Sequence, residues 1–425
     1  MTRRFPVPIA AAIGLCVALF LLAAPGRAET PEAADPQQSQ TTTTVTSVTG
    51  TAPPGPPLAI LKFGDNTIRF GTVLQATYEA VQDPNSEGYS QNFYMRRVRF
   101  FALGKLGQQV GAGVSEVEFF FQVDNPRAGY ATPPTGTKNN GSTGFLVQDG
   151  YGQWAFGGNA IALQAGLWIV PTVRQVHTSV VTFMGLDLPT WTLQQNTLLQ
   201  LNGGRDYGVG FNGYLLDDHF SYRVGVFSGM REAAAQTIPK PIGESACCRN
   251  APLFAGRIMY DVFDPEKGYT YQGTYRGTKK VVAIGGVFQS QGSFEAFGGD
   301  AYVSWPIGPD AVTAEADYLH YSGWGKFFGS VPTQDTLWMD AGYFFGAIQL
   351  EPFARYEFLN YANASTNAEL KAKEASRVGG GFNYYVMGQN FKITPYYERV
   401  MPKVMPTTAQ IKDYNRFVCQ IQTSL

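Results

Sequence analysis

The sequence predicts an all-β chain, a transmembrane antiparallel β-barrel of about sixteen strands. Three observations carry that expectation. Segments of roughly ten residues alternate apolar and polar side chains, and the pattern recurs about sixteen times. The links between these segments alternate short and long. No segment beyond the N-terminus reads as a membrane helix. Period-two alternation sets one strand face against an apolar medium and the other against water or polar groups. In hydrocarbon every backbone N–H and C=O needs a partner, and a closed ring of strands supplies one.

Composition agrees. Charged residues make up 15% of the 425 and aromatics 14%, against a usual charged share of about 25%. Mean hydropathy is only -0.13, too low for a bundle of membrane helices. Residues 1–28 read as a secretory signal peptide. Arg3 and Arg4 open it, the apolar run Ile9 to Ala24 is short for a span, and Gly26-Arg27-Ala28 offers cleavage after Ala28. Cleavage removes Arg3, Arg4 and Arg27 and no acid, so the net charge of -1 becomes -4. That balance argues against nucleic acid as a partner. Residues 29–57 are Thr- and Pro-rich, bury too little apolar surface to fold, and read as a flexible periplasmic leader. Residues 58–425 remain for the barrel.

The strands follow in order. In the first, Ile68, Phe70, Thr72, Leu74, Ala76 and Tyr78 oppose Arg69, Gln75, Thr77 and Glu79. The second, 93–106, sets Val98, Phe100 and Ala102 against Arg97, Arg99 and Lys105. The third, 115–124, sets Val117, Phe119, Phe121 and Val123 against Glu116, Glu118, Gln122 and Asp124. The others are expected at 145–156, 161–170, 206–216, 219–228, 253–263, 279–289, 297–305, 311–321, 336–345, 348–358, 375–386, 391–400 and 414–422. An Arg or Lys facing the bilayer centre costs roughly 2–4 kcal/mol, so confining charge to one face is a strong constraint. The uncharged stretch from Phe156 to Val173 contains Gly157-Gly158-Asn159 and then apolar residues at spacing two, a turn followed by a strand. Pro352 and Pro395 remove ladder donors inside predicted strands and are expected near frayed or bulged ends.

Short links follow predicted strands 4, 6, 10, 12 and 14, and the longer ones mostly follow odd-numbered strands. Short periplasmic turns and long extracellular loops produce this alternation, and it places both termini in the periplasm. Two links strain the pattern: 264–278 is long for a turn and 290–296 is short for a loop. The loop 172–204 carries Val180, Val181, Phe183, Met184, Leu186 and Leu188, so it can pack against something, inside the lumen or as a surface flap.

Several local motifs now resemble a known family. They are Arg96-Arg97-Val98-Arg99, Arg205-Asp206-Tyr207-Gly208-Val209, Tyr222 through Gly229, and Asn383-Tyr384-Tyr385 followed by Gly388-Gln389-Asn390. In order and spacing they resemble the phosphate-selective porins, the porin O and P family, over about residues 67–425. The resemblance implies a sixteen-stranded outer-membrane barrel, commonly trimeric, whose third loop narrows a pore. It implies passive diffusion of small polar or ionic solutes, anions such as phosphate among them, with outer-membrane lipid and the outer-membrane assembly machinery as partners. The alternative from another class is a structural or adhesive barrel with a blocked lumen. Barrels of this kind commonly end on a terminal Phe that the assembly machinery reads; here the last residue is Leu425.

Anion pores concentrate Arg and Lys. The pore-lining or constriction candidates are Arg97, Arg99, Arg174, His177, Arg205, Arg223, Arg257, Arg355 and Arg377, together with Glu116 and Glu118. A local cluster of Arg97, Arg99 and Arg174 near the constriction is one expectation. Inward acids are at least as numerous as inward bases, and Ile169 stands where the family often has lysine, which argues against a dedicated phosphate site. Such charges either line the pore or pair across strands and stiffen the wall. No enzyme, cofactor or metal is expected: the three histidines lack metal spacing, and His177-Thr178-Ser179 is a chance-level match to a hydrolase pair. Cys247 and Cys248 are adjacent loop residues.

Overall fold

The computed structural model describes residues 59–84, 88–106, 113–126, 144–188, 204–229, 251–322, 333–362, 374–402 and 412–425. The expected signal peptide, the whole of the 29–57 leader, and Cys247 and Cys248 lie outside the described residues. The strands are β1 Ala59–Phe63, β2 Asn66–Gln82, β3 Tyr89–Leu106, β4 Val114–Asp124, β5 Leu146–Phe156, β6 Ile161–Ile169, β7 Arg205–Leu215, β8 Phe220–Phe227 and β9 Leu253–Asp261. They continue with β10 Val281–Gln291, β11 Phe294–Ile307, β12 Asp310–Ser322, β13 Gln334–Phe344, β14 Leu350–Tyr361, β15 Ala375–Tyr385, β16 Phe391–Pro402 and β17 Tyr414–Ser424. Among the described residues no helix is long and apolar enough to cross a membrane.

From β2 onward each strand pairs antiparallel with the next, and β17 pairs with β2 from Arg416↔Val81 to Ser424↔Val73. Sixteen strands thus close a ring that leaves no long edge. β1 was not anticipated. It folds back through Gly64-Asp65 and pairs with the start of β2, Ala59↔Phe70 to Phe63↔Asn66. β17 stops short of that stretch: Leu425 exchanges backbone hydrogen bonds with Thr72 at 2.8 and 3.0 Å. β1 therefore covers the part of the β2 edge that the chain's last strand leaves bare.

The alternation sorts side chains as expected. Phe93, Tyr207, Phe254, Ile258, Ile284 and Phe288 project outward and are exposed. Among the described strands, the outward charges Glu295, Asp310, Asp335 and Arg399 sit near strand ends, where charge is cheap in a bilayer. Pro395 lies where the β15–β16 ladder skips Phe382 and Asn383, so its missing N–H coincides with a local break. Pro352 keeps its place opposite Phe382 near the start of β14.

The link lengths also divide the molecule into a short-turn end and a long-loop end, with two informative departures. The 290–296 link is a two-residue connection, Gly292-Ser293, between strands that extend further than expected. The other departure, residues 262–280 between β9 and β10, starts at the short-turn end and turns into the barrel. Tyr269, Tyr271 and Tyr275 on it are all buried. The lumen consequently contains an apolar core, in which Phe101, Leu103, Phe120, Tyr151 and Trp168 from the wall pack with Val173, Val176 and Tyr269 from the inserted segments. Close approach there depends on glycine: a Cβ at Gly210 would lie 2.2 Å from the Val224 carbonyl and 3.0 Å from the Trp168 indole.

Candidate constriction and lumen

The described part of the loop after β6, residues 170–188, crosses the lumen and is held by the far wall through its own carbonyls. Gln422 Nε2 donates to Val181 O at 2.9 Å, Lys392 Nζ to Phe183 O at 2.6 Å, Asn383 Nδ2 to Met184 O at 2.8 Å and Arg355 to Asp187 O at 2.9 Å. Main-chain acceptors fix the path whatever the side chains do, and Met184 and Leu186 add an apolar seat against Phe353, Tyr396 and Val418.

Asp187 is clamped from the opposite direction. Arg96 Nε and Arg97 each donate to its carboxylate at 2.7 Å. Consecutive strand residues face opposite ways, so two neighbouring arginines should not reach one carboxylate. A β-bulge resolves this: Gln75 pairs with Arg97 but Ala76 pairs with Met95, leaving Arg96 as the extra residue. Bulges re-aim a side chain in this way. Burial alone raises the Asp187 carboxyl, but the charges of Arg96 and Arg97 outweigh it and hold that carboxyl well below the usual carboxylate range.

The 262–280 link meets the loop at mid-lumen. Thr178 and Tyr271 form a parallel bridge, with Tyr271 N–H donating to His177 O at 2.8 Å and Ser179 N–H to Tyr271 O at 2.9 Å. Gly273 N–H donates to Thr182 Oγ1 at 2.9 Å. Arg174 ties both segments to the wall. Its Nε donates to Glu266 at 2.8 Å, its other nitrogens to Glu315 at 3.1 Å and to Gln272 O at 2.7 Å, and its guanidinium lies 3.4 Å above the Tyr302 ring. Arg174 is 0% exposed, so it acts as an internal strut rather than as a charge offered to a passing solute.

His177 is equally buried. Arg223 donates to its Nδ1 at 2.9 Å, and to Tyr269 O and Gly268 O at 2.8 and 2.6 Å. Burial, then the charges of Arg223, Arg257 and Arg205, push the imidazole well below its ordinary range, so it is neutral at neutral pH.

The other sequence candidates face the lumen and sit in ion pairs. Arg99 meets Asp124 at 2.8 Å, Arg205 meets Asp149 at 3.3 Å, Arg257 grips Asp300, and Arg355 holds Asp340 through two bonds of 2.8 and 2.7 Å. Arg377 approaches Glu398 at 3.7 Å, while Lys105 bridges Glu116 and Glu118 at 3.0 and 3.1 Å. The expected cluster of Arg97, Arg99 and Arg174 does not form, because each is drawn to a different carboxylate: Asp187, Asp124 and Glu266. Sequence reasoning missed Arg96, Asp187, Glu266 and the tyrosines of the link. Three tyrosines in a connection too long for a turn were the available signal; the bulge left none.

Two cavities flank the inserted segments. One of about 210 Å³ lies toward the long-loop end beside Asp187, Arg377 and Arg416; one of about 40 Å³ lies toward the short-turn end between Glu116, Gln164, Asn212 and Tyr214.

No protein-family model matches the sequence, and no curated protein matches it. Solved structures do. OmpF of Salmonella typhi, solved in complex with daunomycin, aligns with a TM-score of 0.53 at 11% identity, over 86% of this chain and 100% of its own. The outer membrane channel DcaP of Acinetobacter baumannii aligns with a TM-score of 0.53 at 11% identity, over 87% and 100%. At such identity the likeness concerns architecture, and this chain is a closed sixteen-stranded antiparallel barrel with the fold of outer-membrane porins.

Proposed function

We propose that the protein is an outer-membrane porin through which small polar or ionic solutes diffuse passively. The observation that carries this reading is the inverted distribution of polarity: apolar side chains outside a closed ring, charged side chains inside it, and a loop laid across the lumen. In this reading the short-turn end faces the periplasm with both termini, residues 1–28 are removed on export, the assembly machinery inserts the barrel among outer-membrane lipids, and three copies associate. Anions such as phosphate are among the candidate solutes. The carboxylate partner beside Arg97, Arg99, Arg205, Arg257 and Arg355 supports weak selectivity over a phosphate trap. No catalysis is proposed; the Arg223 bond to His177 favours a structural role for that ring.

A second reading, a barrel with a blocked lumen, is favoured by the apolar core and the second inserted segment. Reversal potentials of the purified protein in a salt gradient test between them. The porin reading expects a steady current with weak ion preference, and phosphate in place of chloride leaves it flowing. Absence of any current above the bare bilayer favours the blocked barrel.

A further inference from the structure

The 210 Å³ cavity beside the inserted loop has a wall of alternating charge. Across neighbouring strands, Glu357 stands opposite Arg377 and Glu398 opposite Arg416 in the ladder registers. Arg377 approaches Glu398 at 3.7 Å, and Arg416 contacts Glu398 at 3.0 Å and Glu79 at 2.5 Å. Each arginine thus has a carboxylate on either side. The opposite lip is Asp187, on the loop. The side chains with the most access are of both signs: Arg416 is 26% exposed, Asp187 24% and Arg377 17%, whereas Glu398 and Glu79 are nearly covered.

We infer that this cavity is a selectivity site for small zwitterions, solutes carrying one carboxylate and one ammonium group. The proposal rests on the porin reading and refines it. A carboxylate meets the partly exposed guanidinium groups of Arg377 and Arg416, and an ammonium on the same solute meets the exposed part of Asp187, whose carboxylate Arg96 and Arg97 also hold. A dianion such as phosphate meets arginines whose charge Glu357, Glu398 and Glu79 already offset. A lone cation meets the reverse problem. The volume, below the roughly 300–1,000 Å³ of sites that bury drug-sized ligands, suits a solute the size of an amino acid or dipeptide.

The test is entry into proteoliposomes carrying the mature protein, using matched probes at neutral pH: glycylglycine, neutral N-acetylglycinamide, the anion N-acetylglycinate and the cation glycinamide. Glycylglycine is expected to enter on the order of threefold to fivefold faster than the neutral probe, the ratio a partly exposed ion pair supplies, and faster than either single ion. Arg377→Gln, and independently Arg416→Gln, bring glycylglycine back to the neutral rate, with heat-modifiable gel migration reporting that each barrel is folded. If N-acetylglycinamide enters and glycylglycine is no faster, or the anion is fastest, the zwitterion site is wrong while the porin stands. If no probe enters, the porin reading fails and takes this one with it.

Discussion

Asp187→Asn is the substitution that bears most directly on how the loop is held. In the wild type two charged donors reach this carboxylate at 2.7 Å each. Hydrogen bonds to charged groups contribute about 1.5–3 kcal/mol when shielded. Asp187 is 24% exposed, so solvent screening reduces this, and about 1–2 kcal/mol is a fair value for the clamp. The asparagine also leaves Arg96 and Arg97 side by side with less neutralisation. The four wall-to-carbonyl bonds from Gln422, Lys392, Asn383 and Arg355 remain, so the loop stays docked most of the time. The released fraction rises about 5–30-fold, the factor that one to two kcal/mol represents. Single-channel recording reads this as more frequent excursions to a larger conductance, and Arg96→Gln gives a smaller effect because Arg97 keeps its bond. Identical step size and open-channel noise in Asp187→Asn and wild type would show that the clamp does not hold the loop. The acid dependence follows from the same pair. A carboxyl depressed in the folded state stabilises it fully above its unfolded pKa, about 3.9, and progressively less as pH falls below that value, so the clamp should persist unchanged from neutrality to about pH 4.

Three further outcomes are expected. Arg174→Met leaves Glu266 and Glu315 buried without their cation and should cost about 3–5 kcal/mol, seen as a lower temperature of heat-modifiable unfolding; an unchanged temperature contradicts the strut. His177 is depressed in the folded state while the unfolded imidazole protonates near pH 6.5, so its contribution is complete above about pH 6.5 and declines as pH drops. His177→Gln should flatten the dependence of thermal stability on pH in that range, and a variant with the same slope as wild type would refute the assignment. Gly210→Ala brings a Cβ to 2.2 Å from the Val224 carbonyl, so strain of at least the about 1–3 kcal/mol typical of overpacking should lower folded yield in detergent, whereas Gly144→Ala, with open space around it, should not.

The barrel was legible because its determinants are local and repetitive. Each strand carries the inside–outside code at period two, and the cost of charge in lipid enforces it on every strand independently. Connection lengths then supplied the two ends. β1 escaped because Ala59–Phe63 is only five residues long, next to a Pro-rich tract, and its pairing depends on where β17 stops, which no local pattern encodes. The candidate site was legible in direction and not in detail. Arg97, Arg99, Arg223, Arg257 and Arg355 face inward as alternation requires. Their partners come from residues far apart in sequence, such as Arg174 with Glu266 and Arg97 with Asp187, so pairing emerged only in three dimensions. Arg96 was hidden by the bulge, which breaks the very alternation used to assign faces. The link 264–278 reads as too long for a turn, but nothing in its length alone reveals that it turns inward to bridge Tyr271 to Thr178.

Steady single-channel conductance of the mature protein in a planar bilayer tests most directly whether a wet passage runs past the two inserted segments. Small, discrete, reproducible current steps are the predicted result, and a bilayer that stays silent with verified, folded barrel inserted would contradict it.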